Sequence, residues 1–227
     1  MEKGDFVHIN FVGKIKNTGE IFDITKEDIA KKENVYNPKV RYKPIPVIVG
    51  GGFVLKGIDE ALEKMKVGEK RKIDIPPEKA FGERKEDFVK ILPLSFFKMN
   101  RIEPVPGRFV TVNNLRGKII SVDGGRVKVD FNNPLAGKEL EYEIEIVDSI
   151  DDPKDKVKAI VTYFTSLDEI KVKLDEKSVE ISPEKNLDQQ IKQIIANVIF
   201  KWIKGIENVK FVDIFSKSKD IKEENIK

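Results

Sequence analysis

The chain has no cysteine and one histidine, His8, among its 227 residues. Disulfides, thiol nucleophiles and cysteine zinc sites are excluded, and imidazole chemistry has a single candidate. His8 lies in Phe6-Val7-His8-Ile9-Asn10-Phe11, where alternation puts Val7, Ile9 and Phe11 on one strand face and His8 on the other. A lone histidine on the polar side of a strand reads as structural or solvent-facing. No G-x-S-x-G motif supplies a serine nucleophile. The carboxylates are scattered over a charged surface, so no metal site is expected. No apolar run is long enough for a membrane span and the N-terminus lacks a signal-peptide core, so the expected compartment is the cytoplasm, with no membrane partner. An excess of one charge is also missing. The 42 basic and 39 acidic residues nearly cancel, a balance that argues only weakly for nucleic acid, where a clustered basic face would be expected, so no nucleic-acid partner is expected.

What is there is an ordered protein with a dense ionic surface, 40% hydrophobic and 36% charged. Its abundance of Lys, Glu and Ile follows the composition bias of hyperthermophiles. The length allows more than one core. Strand patterns begin at Phe6 and at Ile45, and the second runs into Val49-Gly50-Gly51-Gly52-Phe53-Val54-Leu55-Lys56-Gly57. Three glycines between a strand and a helix suggest a phosphate loop, but the G-x-x-x-x-G-K-[ST] pattern is absent, as is the dinucleotide spacing with its later acidic residue. Ile58, Ala61, Leu62 and Met65 then give an amphipathic helix, with Gly68 placed to stop it.

Lys70–Ile75 alternates as a strand. Residues 108–112, 117–122 and 126–131 read as three short strands, the last two joined by Asp123-Gly124-Gly125, a hairpin signal. Leu140–Ile146 is a further strand. Asp151-Asp152-Pro153 reads as a linker that caps a helix. Beyond it come a strand over 170–174, a longer helix marked by Ile191, Ile195, Val198 and Trp202, and a strand from Val209 to Phe215 before a charged tail.

Phe11-Val12-Gly13, Thr18-Gly19-Glu20-Ile21-Phe22-Asp23, Val49-Gly50 through Gly57-Ile58, Met65-Lys66-Val67-Gly68-Glu69-Lys70 and Glu78-Lys79-Ala80-Phe81-Gly82-Glu83 follow one another in this order. Together they resemble the FKBP family of peptidyl-prolyl cis–trans isomerases, and Asn133-Pro134-Leu135-Ala136-Gly137 with Leu140-Glu141-Tyr142 resembles its last loop and strand. The segment from Arg84 to Asp130 is similar to the inserted chaperone domain of SlyD-like and archaeal members. The resemblance implies an α+β fold: an FKBP-like antiparallel sheet wrapped on a short helix, an inserted small β domain and a C-terminal α+β domain. The implied boundaries are 1–83 with 131–150 for the isomerase domain, 84–130 for the insert and 151–227 for the C-terminal block.

By the same resemblance, Phe11, Phe22, Val54, Leu55, Ile58, Phe81 and Tyr142 line a proline pocket, with Leu135 and Ala136 at its rim. Asp23 points a carboxylate into it, the Leu55 N–H is a donor to substrate, and no cofactor or metal is needed. Phe11 and Phe81 stand where the family usually has tyrosines, Ile58 where many members have tryptophan, and Asn133 where a related loop has histidine. In the insert, Phe88, Ile91, Leu92, Leu94, Phe96 and Phe97 exceed what so small a domain easily buries and imply a surface for unfolded or nascent polypeptide clients. A client-holding scaffold with little catalysis is the alternative. The apolar stripe of the C-terminal block, with Trp202 in no clear pattern, leaves open whether that block packs on its own strands or forms a homodimer.

Overall fold

The computed structural model describes residues 1–213. Phe215 and the charged tail lie outside them. In chain order the N-terminal part contains β1 (Phe6–Ile15), β2 (Ile21–Ile24), α1 (Glu27–Lys32), β3 (Ile45–Ile48), α2 (Lys56–Leu62) and β4 (Lys70–Ile75). Next come β5 (Val89–Pro93), α3 (Leu94–Met99), β6 (Phe109–Val112), β7 (Leu115–Asp123) and β8 (Arg126–Asp130), then β9 (Leu140–Ser149). The C-terminal block holds α4 (Pro153–Thr165), β10 (Ile170–Leu174), β11 (Ser178–Pro183), α5 (Gln189–Trp202) and β12 (Asn208–Phe211).

The first sheet is antiparallel in the order β2-β1-β9-β4, and β3 pairs with the early half of the β1 edge that β2 occupies later. α2 lies across this sheet and buries Ile58, Ala61 and Leu62 against Val7, Ile9, Ile75, Leu140 and Ile144. Gly57 makes this approach possible, since a Cβ there would stand 2.5 Å from Ile75 Cγ2. The helix is shorter than its apolar stripe suggests. It ends at Leu62, and Gly68, at φ +80°, shapes the turn into β4 instead of the helix terminus.

The second sheet, β5-β8-β7-β6, closes over its own core of Phe97, Val110, Val112, Ile119, Val127 and Val129. Gly124 and Gly125 both have positive φ, +53° and +73°, as a two-residue primed turn between β7 and β8 demands. The chain enters and leaves this unit through one neck. There Arg84 Nη2 donates to Asp130 Oδ2 at 2.8 Å, and Asn132 bonds the Lys85 backbone through both its donor and its acceptor. The Asp130 carboxyl is half withdrawn from water, which opposes ionisation, but hydrogen bonds from Asn132 and Arg84 outweigh this and lower its pKa.

α4 starts as its sequence dictates. Asp152 accepts from the N–H groups of Lys154 (2.8 Å) and Asp155 (3.2 Å), with Pro153 in the first turn. β10 pairs antiparallel with β11, a strand absent from the sequence reading, and β11 pairs in parallel with β12 across the α5 connection. The block packs both on itself and on the first sheet. Val7 and Val47 face the first core, whereas their neighbours Phe6 and Ile48, a cross-strand pair, join the core of α4, α5 and β11. β1 and β3 are therefore buried on both faces at this end, which explains why polar alternation fails there. Trp202 is half-buried, its ring 3.5 Å from where a Gly4 Cβ would stand.

Candidate active site

The site grows from a cross-strand pair, Gly13 on β1 and Tyr142 on β9. A Cβ at Gly13 would come within 2.7 Å of Tyr142 Cζ, so only glycine lets the tyrosine ring lie across its partner strand. Tyr142 then meets Phe11 edge-on at 5.8 Å and Phe22 at 5.8 Å, and Phe22 meets Phe81 at 6.3 Å. Edge-to-face pairs of this kind contribute roughly 0.5–1.5 kcal/mol each beyond burial. Phe22 is the hub, joining the β2 side of the hollow to the loop after β4.

Ile58 is buried beneath these rings, and Val54, Leu55 and Leu135 pack half-exposed against the same cluster. Ala136 is half-buried beside Leu135, in a loop held by Asn133, whose Oδ1 accepts from the Leu135 N–H at 2.8 Å, and by Gly137 N–H to Gly82 O at 2.8 Å. The asparagine at position 133 thus shapes the rim through an Asx turn.

Leu55 is the N-cap residue of α2, and its N–H has no acceptor among the described residues. An apolar wall beside one free donor is the arrangement that can orient a carbonyl. Asp23 lies at the mouth with Oδ2 3.5 Å from the Tyr142 hydroxyl, the outer limit of a hydrogen bond. Loss of water around Asp23 raises its pKa, opposed by the Tyr142 hydroxyl and the Ile24 N–H. Burial also pushes the Tyr142 phenol well above its usual range, helped by the Asp23 charge, so the hydroxyl stays a donor.

Two supports escaped the sequence reading. Thr25 is buried behind the hollow, accepting from the Phe11 N–H at 2.8 Å and donating to Asn10 Oδ1 at 2.9 Å. Asp59, on the first turn of α2, accepts from the N–H groups of Gly50 (2.8 Å) and Gly52 (2.9 Å) and ties down the glycine loop. Gly50 and Gly52 hold φ of +67° and +74°, so the glycines serve turn geometry rather than phosphate. The Asp59 spacing after that loop was the available signal.

An open concavity of about 520 Å³ lies elsewhere, between the β1–β9 edge and α4. His8, Asp148, Asp151, Asp155 and Lys158 line it, and His8 Nδ1 is already 2.7 Å from Asp148 Oδ1. Its charged lining offers little wall for a proline ring.

The insert residues divide. Phe97 is fully buried at the centre of the second core, which corrects its assignment to a client surface. Leu92, Leu94 and Phe96 are half-buried against that core, while Phe88 and Ile91 are exposed at 48% and 62%. Met99 is exposed too, as are Phe109, Leu115 and Ile120, and these last three escaped notice in the sequence.

The FKBP-type peptidyl-prolyl cis-trans isomerase family matches residues 1–147, and the family described as FKBP26 C-terminal matches residues 153–216. A short-type peptidyl-prolyl cis-trans isomerase of Methanocaldococcus jannaschii is 36% identical over 148 residues, 65% of this chain and 93% of that protein. A probable FKBP-type 16 kDa peptidyl-prolyl cis-trans isomerase of Pseudomonas fluorescens is 38% identical over 110 residues, 46% of this chain and 72% of that protein. The FKBP-type isomerase SlyD of Helicobacter pylori is 26% identical over 117 residues, 50% of this chain and 63% of that protein. With the family match spanning well over half of the sequence, the chain belongs to the FKBP-type peptidyl-prolyl cis-trans isomerases.

Proposed function

We propose that the ring-lined hollow takes the proline of a Xaa-Pro segment and speeds rotation about the preceding amide by desolvation and orientation. The observation that carries this reading is the free Leu55 N–H beside the joined rings of Phe11, Phe22, Phe81 and Tyr142. Amide rotation faces a barrier of ~18–20 kcal/mol because resonance is lost, and no covalent bond breaks. A twisted amide separates less charge than a planar one, so apolar surroundings favour it over the ground state. Val54 and Ile58 complete the wall, Leu135 and Ala136 limit the mouth, and the Leu55 N–H fixes a neighbouring carbonyl. Asp23 keeps the Tyr142 hydroxyl directed at the opening. A protease-coupled assay on a Xaa-Pro tetrapeptide tests this, with acceleration over the thermal rate expected. A rate equal to the thermal one would leave the alternative, a scaffold that holds clients without turning them over.

Unfolded or nascent chains are the clients we assign, in the cytoplasm, and the exposed Phe88 and Ile91 support the insert as the surface that holds them. Removing residues 86–129 should then weaken refolding of a proline-limited protein about tenfold while tetrapeptide turnover changes little, the extra rate coming from added local concentration of client. Equal losses on both substrates would make the insert a structural element only. A homodimer through the C-terminal block is supported by Ile194 and Phe200, exposed at 43% and 45% on α5. Sedimentation of the chain ending at Asp151 decides it: the same assembly state as the full chain would remove the idea.

A further inference from the structure

The glycine loop leading to Leu55 is held from two sides, and only one belongs to the isomerase domain. Asp59 fixes Gly50 and Gly52. The next two residues, Phe53 and Val54, receive one backbone hydrogen bond among the described residues, from the Tyr163 hydroxyl of α4 to the Phe53 carbonyl. Rings reinforce it. Phe53 meets Tyr163 edge-on at 4.7 Å and Phe164 at 6.1 Å, and those two meet each other at 5.1 Å.

We infer that Tyr163 is a positioning residue for the isomerase reaction: it anchors the peptide unit running from Phe53 into Val54 and so sets the direction of the Leu55 N–H. This rests on the reading of Leu55 as the substrate donor. A loop with three glycines has little stiffness of its own, and a donor must be held close to its working geometry to orient a reacting group. α4 can supply that rigidity. Val157, Ile160 and Val161 are buried, and the seam formed by Phe6, Pro46, Val47, Ile48, Phe53, Ala159, Ile160 and Tyr163 leaves no room for a water molecule. Burial also raises the Tyr163 pKa, so the phenol remains a donor throughout the working range. The C-terminal block is, on this view, a strut behind the active-site loop. Substrate affinity comes mainly from the opposite rings, which Tyr163 does not touch, so the effect falls on turnover.

The test is Tyr163→Phe in the full chain, which keeps the ring contacts and removes the hydroxyl. The kcat for a Xaa-Pro tetrapeptide should fall about fivefold, equivalent to about 1 kcal/mol in the barrier, with KM within about twofold of wild type. The thermal midpoint should shift by only a few degrees, so the folded fraction at assay temperature is unchanged. Backbone order parameters at Val54 and Leu55 should drop from the rigid value of about 0.85. Arg41→Ala supplies the control, because Arg41 bonds Ser166 O and Asp168 across the same pair of domains without touching the loop; its kcat should stay at wild type. Wild-type kcat in Tyr163→Phe, or an equal loss in Arg41→Ala, overturns the proposal. If the wild-type protein itself gives no acceleration, the reading of the hollow fails separately, and the order parameters alone decide whether Tyr163 fixes the loop.

Discussion

The hollow and the insert present the same kinds of side chain to solvent in opposite ways. In the hollow, Phe22 is wedged between Phe81 and Tyr142, so its ring has few orientations left. On the insert, Ile91 and Met99 are exposed at 62% and 77%, and neither belongs to the insert core or packs against it. The first surface is organised before anything binds, which suits orientation of one bond. The second, on the proposed reading, adapts to many chains and gains little from any one of them. If the two proposals hold, apolar content alone does not distinguish a reaction site from a holding surface; the number of fixed neighbours around each ring does.

The sharpest way to break this contrast is Phe22→Ala. It removes two ring contacts and part of the wall, and kcat/KM on a tetrapeptide should fall about 30- to 100-fold, for ~2–3 kcal/mol of lost interaction. Peptide activity within threefold of wild type would show that the hollow is ordinary core. Next comes a pair of substitutions within the insert. Phe97→Ala should destabilise the insert by ~3–5 kcal/mol, the usual cost of emptying a buried phenylalanine site, and a separate low-temperature transition should appear in calorimetry. Ile91→Ser should leave stability within ~0.5 kcal/mol yet reduce suppression of client aggregation. The reverse pattern would mean that the burial difference between these residues has no bearing on client holding.

That pair also shows where the sequence stops being informative. Phe96 and Phe97 are adjacent in a one-turn helix, and which of them faces inward depends on where α3 docks. β4 was legible from clean alternation between turn residues, and α4 from Asp152-Pro153. β11 was not, because only Val179 and Ile181 mark its inner face, although it becomes the middle strand of its sheet. The residues of the hollow could be chosen from the order of family motifs, since a strand aromatic looks the same as core and as wall. The Tyr163 contact had no local trace at all: its partner is 110 residues away. Contacts between units are set by docking, and periodicity within either unit carries no record of them.

The smallest expected effect separates stability from function at one residue of the hollow. The pKa of Asp23 is raised above 3.8, with loss of water as the largest cause. The folded state therefore binds this proton more tightly than the unfolded chain does. Asp23 is exposed, so water screens its charge; ionised, it subtracts only a little stability at neutral pH, and that penalty fades as pH falls through the raised value, the reverse of a salt-bridged carboxylate. Asp23→Asn should raise the thermal midpoint at pH 7 by no more than about a degree and leave it unchanged below 3.8. Turnover should fall a fewfold, because an amide holds the Tyr142 hydroxyl less firmly than a carboxylate does. In the wild type, the acid limb of the kcat/KM profile should lie above 3.8, and it should disappear in the variant. A variant less stable at pH 7, with the acid limb intact, would mean that the hollow does not feel the charge of Asp23.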